Sequence, residues 1–237
     1  MVCKMNVMTF QRARSEEQRE ERRQAILGAA AGMLSEMQVA DISLNELSRR
    51  AGLAKSNVLR YFESREAILL ELLDSAWQDW LARLARDLDA GVTPSAPVST
   101  RGDQVASELA RSLSTAAALC DLLNAQAAVL ERNVSPDVAA RYKRAALDAV
   151  AALGRLILGQ LPELGEQDAF RLAGAVTMMA GALWPHARPT PPMLAAYAAD
   201  PELAAMRLDF TTTLREAAEV LISGLLARSV TARSGRG

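Results

Sequence analysis

Apolar residues return every three or four positions almost throughout this chain, and that period admits one kind of element. Ile26, Ala29, Ala30, Met33, Leu34 and Met37 fall at i, i+3, i+4 and i+7, which predicts a first helix over about Glu16 to Met37. No stretch alternates apolar and polar residues as a half-buried strand does. Composition agrees: half the residues are hydrophobic but only 4% are aromatic, with Ala and Leu rather than β-branched residues filling the apolar positions. The fold class is therefore all-α, and 237 residues are enough for one large domain or two modest ones.

Punctuation divides the helices. "SLNE" at 43–46 is a capping-box pattern, in which Ser43 and Glu46 satisfy each other's backbone donors. It opens a short helix that Gly52 ends, glycine being free to take positive φ. A third, short helix follows almost at once, and Ser64 caps a fourth that is expected to reach about Ala90. "GVTPSAPVSTRG" at 91–102 reads as a loop. Further helices are expected over 103–119, 120–132, 136–160, 166–184 and 202–228, with "PHARPTPP" as an intervening loop.

Two short helices joined by a glycine turn and braced by a longer one form a helix-turn-helix, whose second helix enters the major groove of DNA. Val58 and Phe62, four apart, face inward onto Ile26, Met33, Leu44 and Leu47. Lys55, Ser56, Asn57, Arg60 and Tyr61 are then left outward. Asn pairs bidentately with adenine and Arg or Lys with guanine, while Ser and Tyr hydroxyls suit phosphates. Ser64 and Arg65 at the start of the fourth helix offer a further phosphate site, where the dipole end is positive. The same pattern also serves as the solvated face of an ordinary helical bundle.

Charge is split in the same direction. Residues 1–65 carry eleven Lys+Arg against eight Asp+Glu, and the remainder sixteen against twenty. Two cysteines, Cys3 and Cys120, make no disulfide framework. Leu172 to Pro185 falls short of the ~20 apolar residues of a membrane helix, so a soluble cytoplasmic chain with no membrane partner is expected. One histidine, His186, and two distant cysteines supply no metal cluster. Neither a nucleophile elbow nor a phosphate-cradling glycine loop is present, so no enzyme, cofactor or metal is expected.

The segment "SLNELSRRAGLAKSNVLRYFESREAIL" resembles the DNA-binding domain of the tetracycline-repressor (TetR/AcrR) family of bacterial regulators. The likeness runs from about Arg19 to Leu73 and is carried by "RAG" and by the Tyr-Phe-x-Ser-Arg/Lys-Glu pattern. It implies a homodimeric regulator with a variable C-terminal body that dimerises through its last two helices and binds a small inducer. By position it implies DNA contacts from Ser43, Asn45, Lys55, Ser56, Asn57, Arg60, Tyr61 and Arg65. Leu59 stands where the family usually has a DNA-touching Tyr, and Ala54 where a Ser often caps the reading helix.

For the body, Phe210, Leu214, Ala217, Leu221 and Gly224 step by four and three like a coiled-coil seam. Ala173, Gly174, Ala180 and Gly181 are small enough for a second helix to approach. Together they suit a four-helix dimer bundle, or else burial within one subunit. Leu81, Gln126, Met178 and Trp184 are the candidate inducer-pocket residues, methionine supplying adaptable apolar wall. The expected organisation is a flexible arm at 1–15, a DNA-binding domain at 16–65, a ligand-binding and dimerisation domain at 66–228 and a flexible tail at 229–237. A ligand-released regulator on a palindromic operator is the functional expectation; an adaptor of the same fold without specific DNA binding is the alternative.

Overall fold

A computed structural model of the chain describes the backbone of residues 2–234 and the side chains of residues 16–229. The first three helices are α1 (Val2–Glu36), α2 (Leu44–Arg50) and α3 (Lys55–Val58). The body begins with α4 (Arg65–Gly91), α5 (Val98–Ser114) and α6 (Ala117–Ala125), which ends in a π turn at Gln126–Leu130. It continues with α7 (Pro136–Gln160), α8 (Glu166–His186), α9 (Pro191–Ala199), α10 (Pro201–Ala205) and α11 (Phe210–Ser234). No strand occurs among the described residues.

Several boundaries differ from expectation, each for a local reason. The segment expected as an N-terminal arm is helical backbone from Val2, continuous with a stretch rich in helix-forming Glu, Arg and Gln at 16–24, where Gln24 donates to Glu20 (2.7 Å). At the other end α11 continues to Ser234. The 91–102 loop is shorter than expected, because α5 starts at Val98 and carries Gly102 inside it. That glycine is a packing residue: a Cβ there would lie 3.0 Å from Ile222 of α11. The break after α5 falls at Thr115–Ala116, where the Ser114 and Thr115 hydroxyls donate back to the Arg111 and Ser112 carbonyls (2.7 and 2.9 Å) and compete with the helix ladder. "PHARPTPP" contains a helix start, Pro191 and Pro192 opening α9. The expected helix at 202–228 is two helices: Asp200 caps α10 by accepting from Glu202 N (2.8 Å), and Asp209 accepts from Thr212 N (2.8 Å) at the start of α11.

One apolar cluster runs from Ile26, Met33, Leu47, Val58 and Phe62 through α4 into the body. Helix α4 is the spine, with Ile68 and Leu69 under the first three helices and Trp80, Leu84 and Leu88 in the body core. Trp77 and Trp80 meet edge to face at 5.4 Å, and the Trp80 indole N–H donates to Ser112 Oγ at 3.1 Å. Cys120 is buried and burial pushes its thiol up to about 12, so it is a packing residue. Among the described residues no single helix is long and apolar enough to cross a membrane.

Candidate DNA-reading surface and ligand grooves

The helix-turn-helix is built by caps and two anchors. Ser43 Oγ accepts from Glu46 N at 3.2 Å and starts α2. Glu46 does not complete the reciprocal box, since its carboxylate is taken by Arg49 (2.7 Å) and Arg50 (2.9 Å), which hold it down to about 2. Gly52 takes φ +66° in the turn, where a Cβ would be strained. Ala54 gives α3 no side-chain cap. Only one turn of α3 is regular, but the chain winds on: Leu59 N reaches Lys55 O (3.1 Å) and Phe62 N reaches Val58 O (3.1 Å).

Val58 and Phe62 are buried against Ile26, Met33 and Leu47, which leaves Lys55, Ser56, Asn57, Leu59 and Arg60 exposed along the other side. Ser43 and Asn45 are exposed at the start of α2, and Tyr61 is half-buried. The exposed Arg19 and Arg22 of α1 line one groove with Arg60 and Tyr61, so three guanidiniums share this side of the head. Sequence reading passed over Arg19 and Arg22 because their nearness to Arg60 depends on how α1 crosses α3.

Arg65, expected as a DNA contact, also makes bonds within the chain. Its guanidinium donates to the Ile42 carbonyl (2.7 Å) and pairs with the buried Glu66 (2.9 Å), which staples α4 to the entry of α2. Arg23, missed in the sequence, clamps the end of the reading helix. It lies over the Phe62 ring at 4.4 Å, donates to the Tyr61 carbonyl (3.4 Å) and forms an ion pair with Glu71 of α4. Two further bonds join the head to α6 and to the cap of α7. Glu63 accepts from Ser135 N at 2.6 Å, at the cap of α7, and Asp121 of α6 accepts from Val39 N at 3.1 Å, in the turn before α2. The Ser135 bonds hold the Glu63 carboxyl below its ordinary range, while burial raises that of Asp121.

In the body the four expected pocket residues do not converge. Leu81 is sealed in the core. Gln126 and Met178 line a groove of about 490 Å³ between α6, α7 and α8, with Ala146, Val150 and Gly174. Trp184 belongs to a different pocket, of about 330 Å³, beside Phe210 at the start of α11. The expected dimer seam divides likewise. Ala173, Phe210 and Leu214 are buried within the subunit. A Cβ on Gly181 would sit 3.2 Å from Leu123 of α6, so that glycine serves helix packing inside one chain. The inward stripe of α11 is Phe210, Leu214, Ala218 and Ile222; Ala217 and Leu221 lie half-exposed at its edge. Gly174 and Gly181 of the expected seam line the groove between α6, α7 and α8, and on the outer side of α7 and α8 Leu147, Phe170 and Met178 are 59%, 42% and 79% exposed.

A helix-turn-helix with an outward polar reading helix on a larger all-α body defines a DNA-binding regulator. Residues 26–72 match the profile of bacterial regulatory proteins of the tetR family, and residues 74–229 match the tetracyclin repressor-like C-terminal domain. The chain belongs to the tetracycline-repressor family of transcriptional regulators. Over 55 residues it is 42% identical to the HTH-type transcriptional regulator EthR of Mycobacterium tuberculosis H37Rv, a match covering 23% of this chain. That match spans about a quarter of the curated relative's length, 26%. In fold it is similar to Thermus thermophilus FadR, a TetR-family repressor solved with lauroyl-CoA (TM-score 0.52, 20% identity, 84% of this chain and 92% of that one). It is also similar to a TetR regulator from Rhodococcus sp. RHA1 (TM-score 0.51, 16% identity, 87% and 97%).

Proposed function

We propose that the chain binds a palindromic DNA operator as a cytoplasmic homodimer, reads it with α3, and is released by a small, mainly apolar ligand held in the body. The observation that carries this reading is the exposed row of Lys55, Ser56, Asn57 and Arg60 on a helix whose Val58 and Phe62 are buried. Lys55 and Asn57 are the base readers, Ser43, Asn45, Ser56 and Tyr61 hold phosphates, and Arg19, Arg22 and Arg60 extend the cationic footprint. Leu59, 42% exposed in the middle of the row, offers an apolar contact suited to a thymine methyl.

Homodimerisation is assigned to the outer face of α7 and α8, where Leu147, Phe170 and Met178 stand exposed around Gly174. Two copies of an antiparallel helix pair make a four-helix bundle, and its two-fold axis sets two reading helices about one DNA turn, ~34–36 Å, or a multiple apart. Thermus thermophilus FadR, similar in fold, is solved in complex with lauroyl-CoA. An apolar ligand in this body is consistent with that precedent. Such a ligand acts only through unequal affinity for the DNA-bound and DNA-free states, with a usual coupling of ~1–3 kcal/mol.

Fragments of the native genome captured by the protein should share a near-palindrome bound far more tightly than random duplex, with affinity falling steeply as salt rises. Asn57→Ala or Lys55→Ala should relax base preference by ~1–3 kcal/mol. Equal affinity for captured and random DNA at every salt concentration would point instead to an adaptor that has lost specific binding.

A further inference from the structure

We propose that the pocket between the ends of α5 and α8 and the start of α11 binds a small carboxylic acid with an apolar body. We further propose that the head senses this occupant through Arg188 and Asp121. This deepens the inducer reading and rests on it: a ligand in the body releases DNA.

The pocket is about 330 Å³, at the small end of ligand sites, so it suits a single small acid rather than a long chain on a large carrier. Its apolar wall is Trp184, Phe210 and Leu208, the first two meeting edge to face at 5.1 Å. Trp184 is 7% exposed, yet its indole N–H has no hydrogen-bond partner. Buried indoles ordinarily find one, as Trp80 does on Ser112 Oγ. The unspent donor on Trp184 therefore asks for an acceptor. Ser114, also in the lining, has its hydroxyl committed to the Arg111 carbonyl at 2.7 Å.

Two cations complete the lining. Arg188 lies over the Trp184 ring at 5.3 Å, Arg207 stands opposite in sequence across the α9–α10 hairpin, and neither is paired with a carboxylate among the described ion pairs. The one acid in the lining, Asp209, is engaged in capping α11 through Thr212 N (2.8 Å). One indole N–H and two guanidiniums around an aromatic wall match a carboxylate on an apolar body, since charge-assisted bonds of this kind are the strong ones. The hairpin between the arginines buries no residue of α9 or α10, so an acid bridging Arg188 and Arg207 would also fix its ends.

The route to the head is short. Asp121 accepts from Val39 N at 3.1 Å, just before α2. Burial acts most strongly on its carboxylate and opposes the charged form; the Val39 bond and then Arg188 favour that form, and Asp41 opposes it. An acid that recruits Arg188 leaves Asp121 facing Asp41 without that support and loosens the bond to Val39.

The test is a panel of aromatic and short alkyl carboxylates, from benzoate to naphthoate in size, each paired with its primary amide. Tryptophan fluorescence and calorimetry read binding, and captured genomic DNA reads release. At least one acid should bind about tenfold or more tighter than its amide, with the preference lost in Arg207→Gln and weakened in Trp184→Phe. The same acid should weaken DNA binding in the parent protein, and Asp121→Asn should keep acid binding while losing the release. No acid preference anywhere in the panel, or a preference that survives both Arg188→Gln and Arg207→Gln, overturns the site. Release of DNA by a neutral ligand bound elsewhere would remain detectable in that case, so the inducer reading falls or stands separately. Acid binding that leaves DNA affinity unchanged overturns the coupling.

Discussion

The reading helix and the α7–α8 face expose opposite chemistry for opposite partners. Around α3 two buried apolar anchors hold a row of polar and cationic side chains in water, where a hydrated polyanion is the fitting partner. On α7 and α8, by contrast, the large apolar side chains of Leu147 and Met178 are left 59% and 79% exposed. Apolar side chains gathered on one face gain only from a partner that excludes water. On the proposed function, the first surface stays wet until DNA arrives and the second is covered by another copy of the chain.

The largest effect should come from charging the second surface. Met178→Glu places a carboxylate at the centre of the proposed interface, where it is desolvated without a counter-ion. Sedimentation should show monomer, and operator binding should collapse although no reading residue is touched. Val220→Glu, at a 72% exposed site on α11, should leave the dimer intact. Dissociation by Val220→Glu and not by Met178→Glu would move the interface to α11.

Next in size is the anchor of the first surface. Phe62 is 5% exposed and carries Arg23 at 4.4 Å over its ring, so Phe62→Ala removes both a core side chain and the clamp. A loss of about 3–5 kcal/mol is expected. Hydrogen exchange should speed up across α2 and α3, with DNA binding lost and the dimer preserved. Uniform destabilisation of head and body would show that the two regions fold as one unit.

Much of the head was legible because its determinants are local. Ser43, Gly52 and Ser64 act within a few residues of themselves, and the four-residue step of Val58 and Phe62 marks the buried side of a short helix, so spacing is enough to assign them. Phe210 and Leu214 show where that method stops. Their four-residue step marks a buried stripe, but the same step serves a stripe turned to a second subunit or to α5 and α8 of its own. Gly181 is equally ambiguous until Leu123 is seen 3.2 Å from its missing Cβ. The Glu63–Ser135 and Asp121–Val39 bonds join residues 72 and 82 positions apart, and no periodicity encodes such pairs.

Arg60 and Arg65 sharpen the comparison within the head itself. Arg60 is exposed beside Arg19 and Arg22, so Arg60→Ala should weaken all DNA sequences alike and flatten the salt slope by ~1 unit. Arg65→Ala should act through stability. It strands buried Glu66 and the Ile42 carbonyl, a loss of roughly 1–3 kcal/mol, with little change in slope. Salt titration and thermal unfolding of both variants distinguish these roles. A flattened slope in Arg65→Ala would return Arg65 to the phosphate-binding set.

The smallest effect belongs to the Asp121–Val39 bond, one of those that join head to body. Burial raises the Asp121 carboxyl above its ordinary value near 3.8, against the Val39 bond and Arg188, which pull it down. The folded state therefore binds this proton more readily than the unfolded chain. Its contribution to stability grows as pH falls from above the folded value toward 3.8, and declines as pH rises through the same window. Asp121→Asn keeps an oxygen acceptor for Val39 N–H and removes the ionisation. The variant should match or slightly exceed the parent in thermal stability at neutral pH, and that margin should shrink as the pH is lowered through the window. A variant clearly less stable than the parent at neutral pH, by a margin that vanishes as the pH is lowered, would mean that the carboxylate's charge, drawn to Arg188, matters more to the head–body junction than its burial does.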